Sequence, residues 1–228
     1  MMIALGYILA ILPAALILYL TNKKFGPSEI LFFIGCILLG ALSTLPAFQF
    51  ERLEFLFDQE NLNQGWSLFT TAFLLVGFGE ELFKFTFLLG FAFWSKKIVD
   101  LKTGVLYAIA IGMGFALLEN ILYAFRFPVS TMAVRTFTAV PAHGVFAIIT
   151  GYFVGMAFSQ KRIVWILAFR GLLFASLLHG IYDWLILQSY YDWLTGLAIP
   201  ILGIGFFYAF WLIQYAEKNT APVIVEKE

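Results

Sequence analysis

The 228-residue chain is 62% hydrophobic and 12% charged, with a formal net charge of zero. That composition excludes an ordinary soluble domain and indicates a polytopic membrane protein, and the lack of a basic stripe excludes a nucleic-acid partner. A single cysteine, Cys36, excludes an intramolecular disulfide and a cysteine-rich zinc module.

A hydrocarbon core is crossed by about 20 apolar residues, and seven stretches qualify: 2–21, 28–50, 67–94, 103–125, 136–158, 163–188 and 193–215. The first lacks a basic leader and a small-residue cleavage site and runs into Lys23-Lys24, so it is predicted to be a retained membrane helix. The third runs from Trp66 to Trp94 and holds Glu80, Glu81 and Lys84 near its centre. The polar stretches between spans are short, with Glu54 and Asp58 in an acidic one at Glu51–Gln64. The expected fold is all-α: one domain over 1–216, about seven transmembrane helices bundled around a polar intramembrane site, and a short polar tail at 217–228. Ala147, Gly151 and Gly155 in the fifth span, and Gly112 with Ala116 in the fourth, are small enough to let helices approach closely.

Basic residues concentrate on the cytoplasmic side of membrane proteins. One set of alternate loops holds Lys23, Lys24, Lys96, Lys97, Lys102, Lys161, Arg162, Lys218 and Lys227, and the other only Arg52, Arg126 and Arg135. The chain is therefore expected in the cell membrane as a multi-pass protein, N-terminus outside and C-terminus cytoplasmic. Tyr19, Trp66, Trp94, Trp165 and Trp193 fall near span ends, where interfacial aromatics belong.

A charge at the centre of a membrane helix costs about 2.5–3.5 kcal/mol on insertion scales, so such residues mark functional sites. Later spans add Glu119, Asn120 and Tyr123, then His143, then His179 and Asp183; His143 and His179 are the chain's two histidines. At about 1.5 Å per residue, Glu119 and His143 lie about 10 Å from the outer helix ends, His179 about 12–14 Å and Glu80 about 20 Å. Helical spacing lets Lys84 reach both Glu80 and Glu81, places Tyr123 likewise beside Glu119 and Asn120, and sets Asp183 on the face of His179, where it can orient the imidazole.

Adjacent carboxylates cannot both ionise cheaply in a low-dielectric site unless Lys84 or a metal compensates. That is the setting of a general acid or base. A Glu-activated water positioned by His could attack a peptide carbonyl, with Asn120, Lys84 or the other histidine stabilising the oxyanion. Glu80, Glu81, Glu119, His143 and His179 are the candidate catalytic residues, supported by Lys84, Asn120, Tyr123 and Asp183. His143, His179 and Glu119 could instead hold a divalent metal such as zinc, although the spacing is not that of the two-histidine helix motif of soluble zinc proteases. The same acids and histidines could serve a proton-coupled transporter or channel, or could only fix helix packing. No paired broken helices or internal duplication favour transport.

Four segments in order, Gly-Phe-Gly-Glu-Glu-Leu-Phe-Lys at 77–84, Gly-Phe-Ala-Leu-Leu-Glu-Asn-Ile-Leu-Tyr at 114–123, Pro-Ala-His-Gly at 141–144 and Leu-Leu-His-Gly-Ile-Tyr-Asp at 177–183, resemble the PrsW family of intramembrane proteases, within the wider group of CAAX prenyl endopeptidases and bacteriocin-processing proteins. The resemblance implies a multi-helix protease with Glu80 and Glu81 as its paired glutamates, Glu119 and Asn120 as its second motif, and His143 and His179 as its two histidines. Lys84, where the wider group carries an arginine one residue later, and Asp183, where many relatives carry asparagine, fit the PrsW branch. Its type substrate is a single-pass anti-sigma factor cut outside the membrane, which makes a single-pass membrane protein the implied partner here. Some relatives are described as metalloproteases and others as glutamate-dependent. The two outer loops, Glu51–Gln64 and Arg126–Arg135, border the helices carrying the site and are candidate substrate gates.

Overall fold

The computed structural model describes residues 2–25, 29–56, 64–160 and 163–219. Asp58 and the rest of 57–63, Lys161-Arg162, and the expected tail from 220 onward, with Lys227, lie outside the described residues.

Hydrocarbon offers backbone amides no partner, so a spanning chain must satisfy them internally. The described residues are accordingly helical, with no strand among them. In order they form α1 (Met2–Phe25), α2 (Ile30–Glu51) ending in a 3-10 turn (Arg52–Leu56), α3 (Gln64–Phe69), a π-helical segment (Thr70–Phe78) leading into α4 (Gly79–Ser95), α5 (Leu101–Arg126), α6 (Val129–Phe137), α7 (Ala139–Phe158), α8 (Trp165–Leu187), α9 (Asp192–Gly196) and α10 (Ala198–Asn219). Among the described residues six helical stretches are long and apolar enough to cross a membrane, and the composite Gln64–Ser95 is the seventh crossing.

Three local features differ from the expected spans. The third crossing is not one α-helix. Thr70 donates its hydroxyl to the carbonyls of Trp66 and Ser67, at 3.0 and 2.8 Å, drawing those acceptors away from the regular ladder where the π segment begins. A π-helix has more residues per turn and advances less per residue, so its nine residues set Glu80 nearer the outer end than the 20 Å count from α-helical rise. The fifth crossing breaks at Thr138, whose φ of −122° and ψ of −71° are not helical. As a result most of the expected Arg126–Arg135 loop is the separate helix α6. The expected tail begins as helix, since α10 continues to Asn219.

α5 is the axis of the bundle and is buried from Gly104 to Ala116 without interruption. Its start is fixed by Asp100, whose Oδ1 accepts from the Thr103 amide at 2.7 Å in a reciprocal capping box. α7 lies directly against it. A methyl group on Gly104 would collide with the backbone of Gly151 and Gly155, so the two helices meet main chain to main chain. Gly112 meets Ala147 in the same seam. The outer helices α1, α2 and α10 expose Leu12, Leu31 and Phe207, as surfaces facing lipid do. Tyr19, Trp66, Trp94, Trp165 and Trp193 are all exposed near crossing ends. The π segment packs on α8 through Gly77, which abuts the backbone of Gly180, and this contact brings α4 beside His179.

Candidate active site

Glu80, Glu81 and Lys84 occupy the first turns of α4, where the π segment has turned them inward, and all three are buried. The Lys84 ammonium has three protons and three acceptors: Glu80 Oε2 at 3.0 Å, Glu81 Oε1 at 2.8 Å and His143 Nδ1 at 3.0 Å. It also stands 4.0 Å from the centre of the Phe115 ring. An ammonium only donates, so Nδ1 is the lone-pair nitrogen of His143 and the ring proton sits on Nε2. That Nε2–H donates to Glu119 Oε2 at 2.9 Å.

His179 approaches from α8. Its Nδ1 meets Glu81 Oε1 at 3.0 Å and its Nε2 meets Asp183 Oδ2 at 3.1 Å, one helical turn on. Its ring stacks on Phe146 with centroids 4.5 Å apart. The structure thus brings Glu80, Glu81, Lys84, Glu119, His143, His179 and Asp183 into one chain of polar contacts spanning four helices. Asn120 and Tyr123 join it through Arg135, expected as a loop charge at the end of the candidate gate Arg126–Arg135 and not among the site residues. Arg135, on α6, donates from Nε to Asn120 Oδ1 at 2.7 Å, pairs with Glu119 Oε1 at 2.8 Å and lies 3.8 Å from the centre of the Tyr123 ring. The one available signal was its position: an isolated arginine, between Val134 and Thr136, at the same end of the bundle as Glu119-Asn120.

Glu80, Glu119, His143, His179 and Asp183 line a cavity of about 100 Å³, with Arg135, Tyr123 and Tyr182 on its wall. Glu51, expected in the acidic loop, is the last residue of α2 and also lines it, with Oε1 buried and unpartnered among the described residues. A larger groove of about 850 Å³ runs between α2 and α4 past Gly35 and Gly90. Its lining is apolar apart from Thr86 and carries no ionisable group, whereas the smaller cavity is lined by the acids and both histidines.

The donor set fits a divalent cation. One donor atom each of Glu80, His143 and His179 lie within 4.8 Å of one another. Glu80 Oε2 is 3.9 Å from both His143 Nδ1 and His179 Nε2. The opposite nitrogen of each ring rests on a carboxylate, Glu119 for His143 and Glu81 for His179, the outer arrangement that orients metal-binding histidines. The carboxylates of Glu80, Glu81, Glu119 and Asp183 outnumber the cations Lys84 and Arg135 by two formal charges. Glu119 stands outside the trio, its oxygens engaged by Arg135 and His143.

Comparison with known proteins covers most of the chain. The family model described as PrsW family intramembrane metalloprotease matches residues 27–213. A protein named Protease PrsW from Shouchella clausii is 31% identical over 183 residues, covering 80% of this chain and 82% of that protein. One from Oceanobacillus iheyensis is 29% identical over 214 residues, 90% and 93% of the two chains. One from Bacillus subtilis is 31% identical over 166 residues, 72% and 70%. No solved structure matches. The transporter reading finds no support in these matches.

Proposed function

The chain belongs to the PrsW family of intramembrane metalloproteases and is a peptide hydrolase, and from that premise we propose that Glu80, facing the cavity between His143 and His179, transfers the proton of the attacking water. The observation that carries this reading is the 3.9 Å separation of Glu80 Oε2 from a nitrogen of each histidine. Water adds to the scissile carbonyl, its proton passes to Glu80, and Glu80 returns it to the amide nitrogen as the C–N bond breaks. Lys84, 3.0 Å from Glu80, offsets the charge that develops nearby. Glu81 holds Lys84 and His179, and Glu119 holds His143. A divalent ion, zinc being the candidate, would be held by Glu80, His143 and His179 and would supply Lewis acidity at the carbonyl oxygen. Glu80 has two oxygens to divide between these duties.

The substrate we infer is a single-pass membrane protein, with an anti-sigma factor as the first to try, inserted beside a chain whose N-terminus is outside and C-terminus cytoplasmic. Lys24 pairs with Glu217 at 3.1 Å and Lys97 with Glu29 at 2.6 Å, so the lysine-rich helix ends gather on one side of the bundle, the side that the excess of basic residues assigns to the cytoplasm. The decisive experiment reconstitutes the protein in liposomes with single-pass reporter substrates. Wild type should cleave, Glu80→Gln should insert normally and not cleave, and chelator should stop the wild type. Cleavage retained by Glu80→Gln would remove the proton-transfer role; cleavage unaffected by chelator would remove the metal.

A further inference from the structure

We propose that the groove between α2 and α4 is a binding site for an anionic phospholipid, with an acyl chain lying in the groove and the headgroup at Lys96. The walls run from Leu31 to Leu39 on α2 and from Thr86 to Trp94 on α4. Each wall is eight residue steps long, about 12 Å at helical rise. That is close to the depth of one leaflet, since the whole hydrocarbon core is about 30 Å thick. A spanning helix, from a substrate or from a second copy of this chain, would need a channel about twice as long. The groove does not continue that far. Farther along the same two helices Phe50 packs on Phe83 with ring centroids 6.1 Å apart, and a methyl group on Gly79 would collide with the Phe50 ring.

The other end of the groove lies at the membrane surface. Phe32 and Trp94 meet there with centroids 5.9 Å apart, and Lys97, paired with Glu29 at 2.6 Å, stands 5.3 Å from the centre of the Phe32 ring. Trp94 is exposed, as a tryptophan at the level of the headgroups is. Lys96, two residues past Trp94, is exposed and has no carboxylate partner among the described residues. Lys96, Lys97 and Glu29 together therefore carry one positive charge, and a phosphodiester headgroup is its complement. The side assigned above to the cytoplasm is also the side on which anionic lipids attract basic residues. Within the groove, a methyl group on Gly35 or on Gly90 would meet no atom within 4 Å. The space is thus left by two glycines on facing walls. Thr86 donates its hydroxyl to the Leu82 carbonyl at 2.8 Å, so the one polar lining residue asks nothing of a hydrocarbon chain.

Purified protein in detergent is titrated with dioleoyl phosphatidylglycerol or dioleoyl phosphatidylcholine, and native mass spectrometry reads the one-to-one adduct. Wild type should reach half-saturation with phosphatidylglycerol at about fivefold lower concentration than with phosphatidylcholine, the effect of one basic residue near an anionic headgroup. Lys96→Gln should erase most of that difference. Gly35→Phe combined with Gly90→Phe should abolish the adduct with both lipids and leave the thermal unfolding midpoint unchanged, because the new rings enter open space. Equal binding of the two lipids by wild type, or an adduct kept by the filled variant, would overturn the proposal. So would a filled variant that keeps its lipid but no longer captures a single-helix reporter, which would make the groove a substrate path, or one that keeps its lipid and changes from dimer to monomer, which would make it an interface between copies. Lys96→Gln alters an exposed side chain, so its result stands even if the filled variant fails to fold. The measurement needs no cleavage and is independent of the protease mechanism.

Discussion

Gly77 rests on Gly180 so closely that a methyl group on Gly77 would stand 2.7 Å from the Gly180 amide nitrogen. The obstruction is backbone on both sides, so no side-chain rotation relieves it. Gly77→Ala must push the π segment and α8 apart and stretch the 3.0 Å contact between Glu81 and His179. The expected result is a stability loss of about 1–3 kcal/mol, as for other overpacked sites, with cleavage reduced more than tenfold. Thermal unfolding in detergent and turnover in liposomes measure the two effects. Turnover equal to wild type would show that the glycine contact does not position the site.

Lys84 is the cation shared by two adjacent buried carboxylates. Lys84→Met leaves both without their ammonium, and loss of one partner from a buried pair costs about 3–5 kcal/mol. Adding Glu81→Gln should recover part of that loss because one of the stranded charges is removed with it. A double-mutant cycle on unfolding free energy tests this. Simple additivity of the two substitutions would mean that the ammonium does not couple them.

Metal binding should separate the inner trio from its outer supports. Cobalt titration of purified protein is expected to lose detectable binding in Glu80→Gln, His143→Ala and His179→Ala. Glu119→Gln should bind about 10–100-fold more weakly, the range seen when an outer carboxylate is removed from a liganding histidine. Equal binding by wild type and the three inner variants would place the ion elsewhere.

Asp100 provides a control far from the chemistry. Its Oδ1 caps α5 at 2.7 Å, so Asp100→Ala should cost about 1 kcal/mol of stability and leave kcat within about twofold. A large fall in kcat would show that the lysine-rich end communicates with the cavity.

Much of the site was legible from helical geometry. Lys84 reaches Glu80 and Glu81, and Asp183 meets His179, because residues three or four apart share a helix face. The crossings were legible from hydropathy, since lipid demands continuous apolar helices. What escaped arises where tertiary contacts override periodicity. The π segment depends on the Thr70 hydroxyl and on the meeting of Gly77 with Gly180, distant positions that a local pattern cannot join. Arg135 escaped because charge counting assigns arginines between spans to loops, whereas α6 folds this one back onto α5. Glu51 escaped because it stands at the very end of its span, and only the neighbouring helices show which way it faces.

Asp183 apart, the polar partners that grip the two histidines are distant along the chain. His143 lies 24 residues from Glu119 and 59 from Lys84, and His179 lies 98 from Glu81. A ribosome delivers these helices to the membrane one after another, so the glutamates arrive long before the last imidazole. The polar cluster of Glu81, Lys84, His143 and His179 is complete only when α8 has joined the bundle. Assembly order therefore leaves Glu81 without its imidazole partner until α8 is in place.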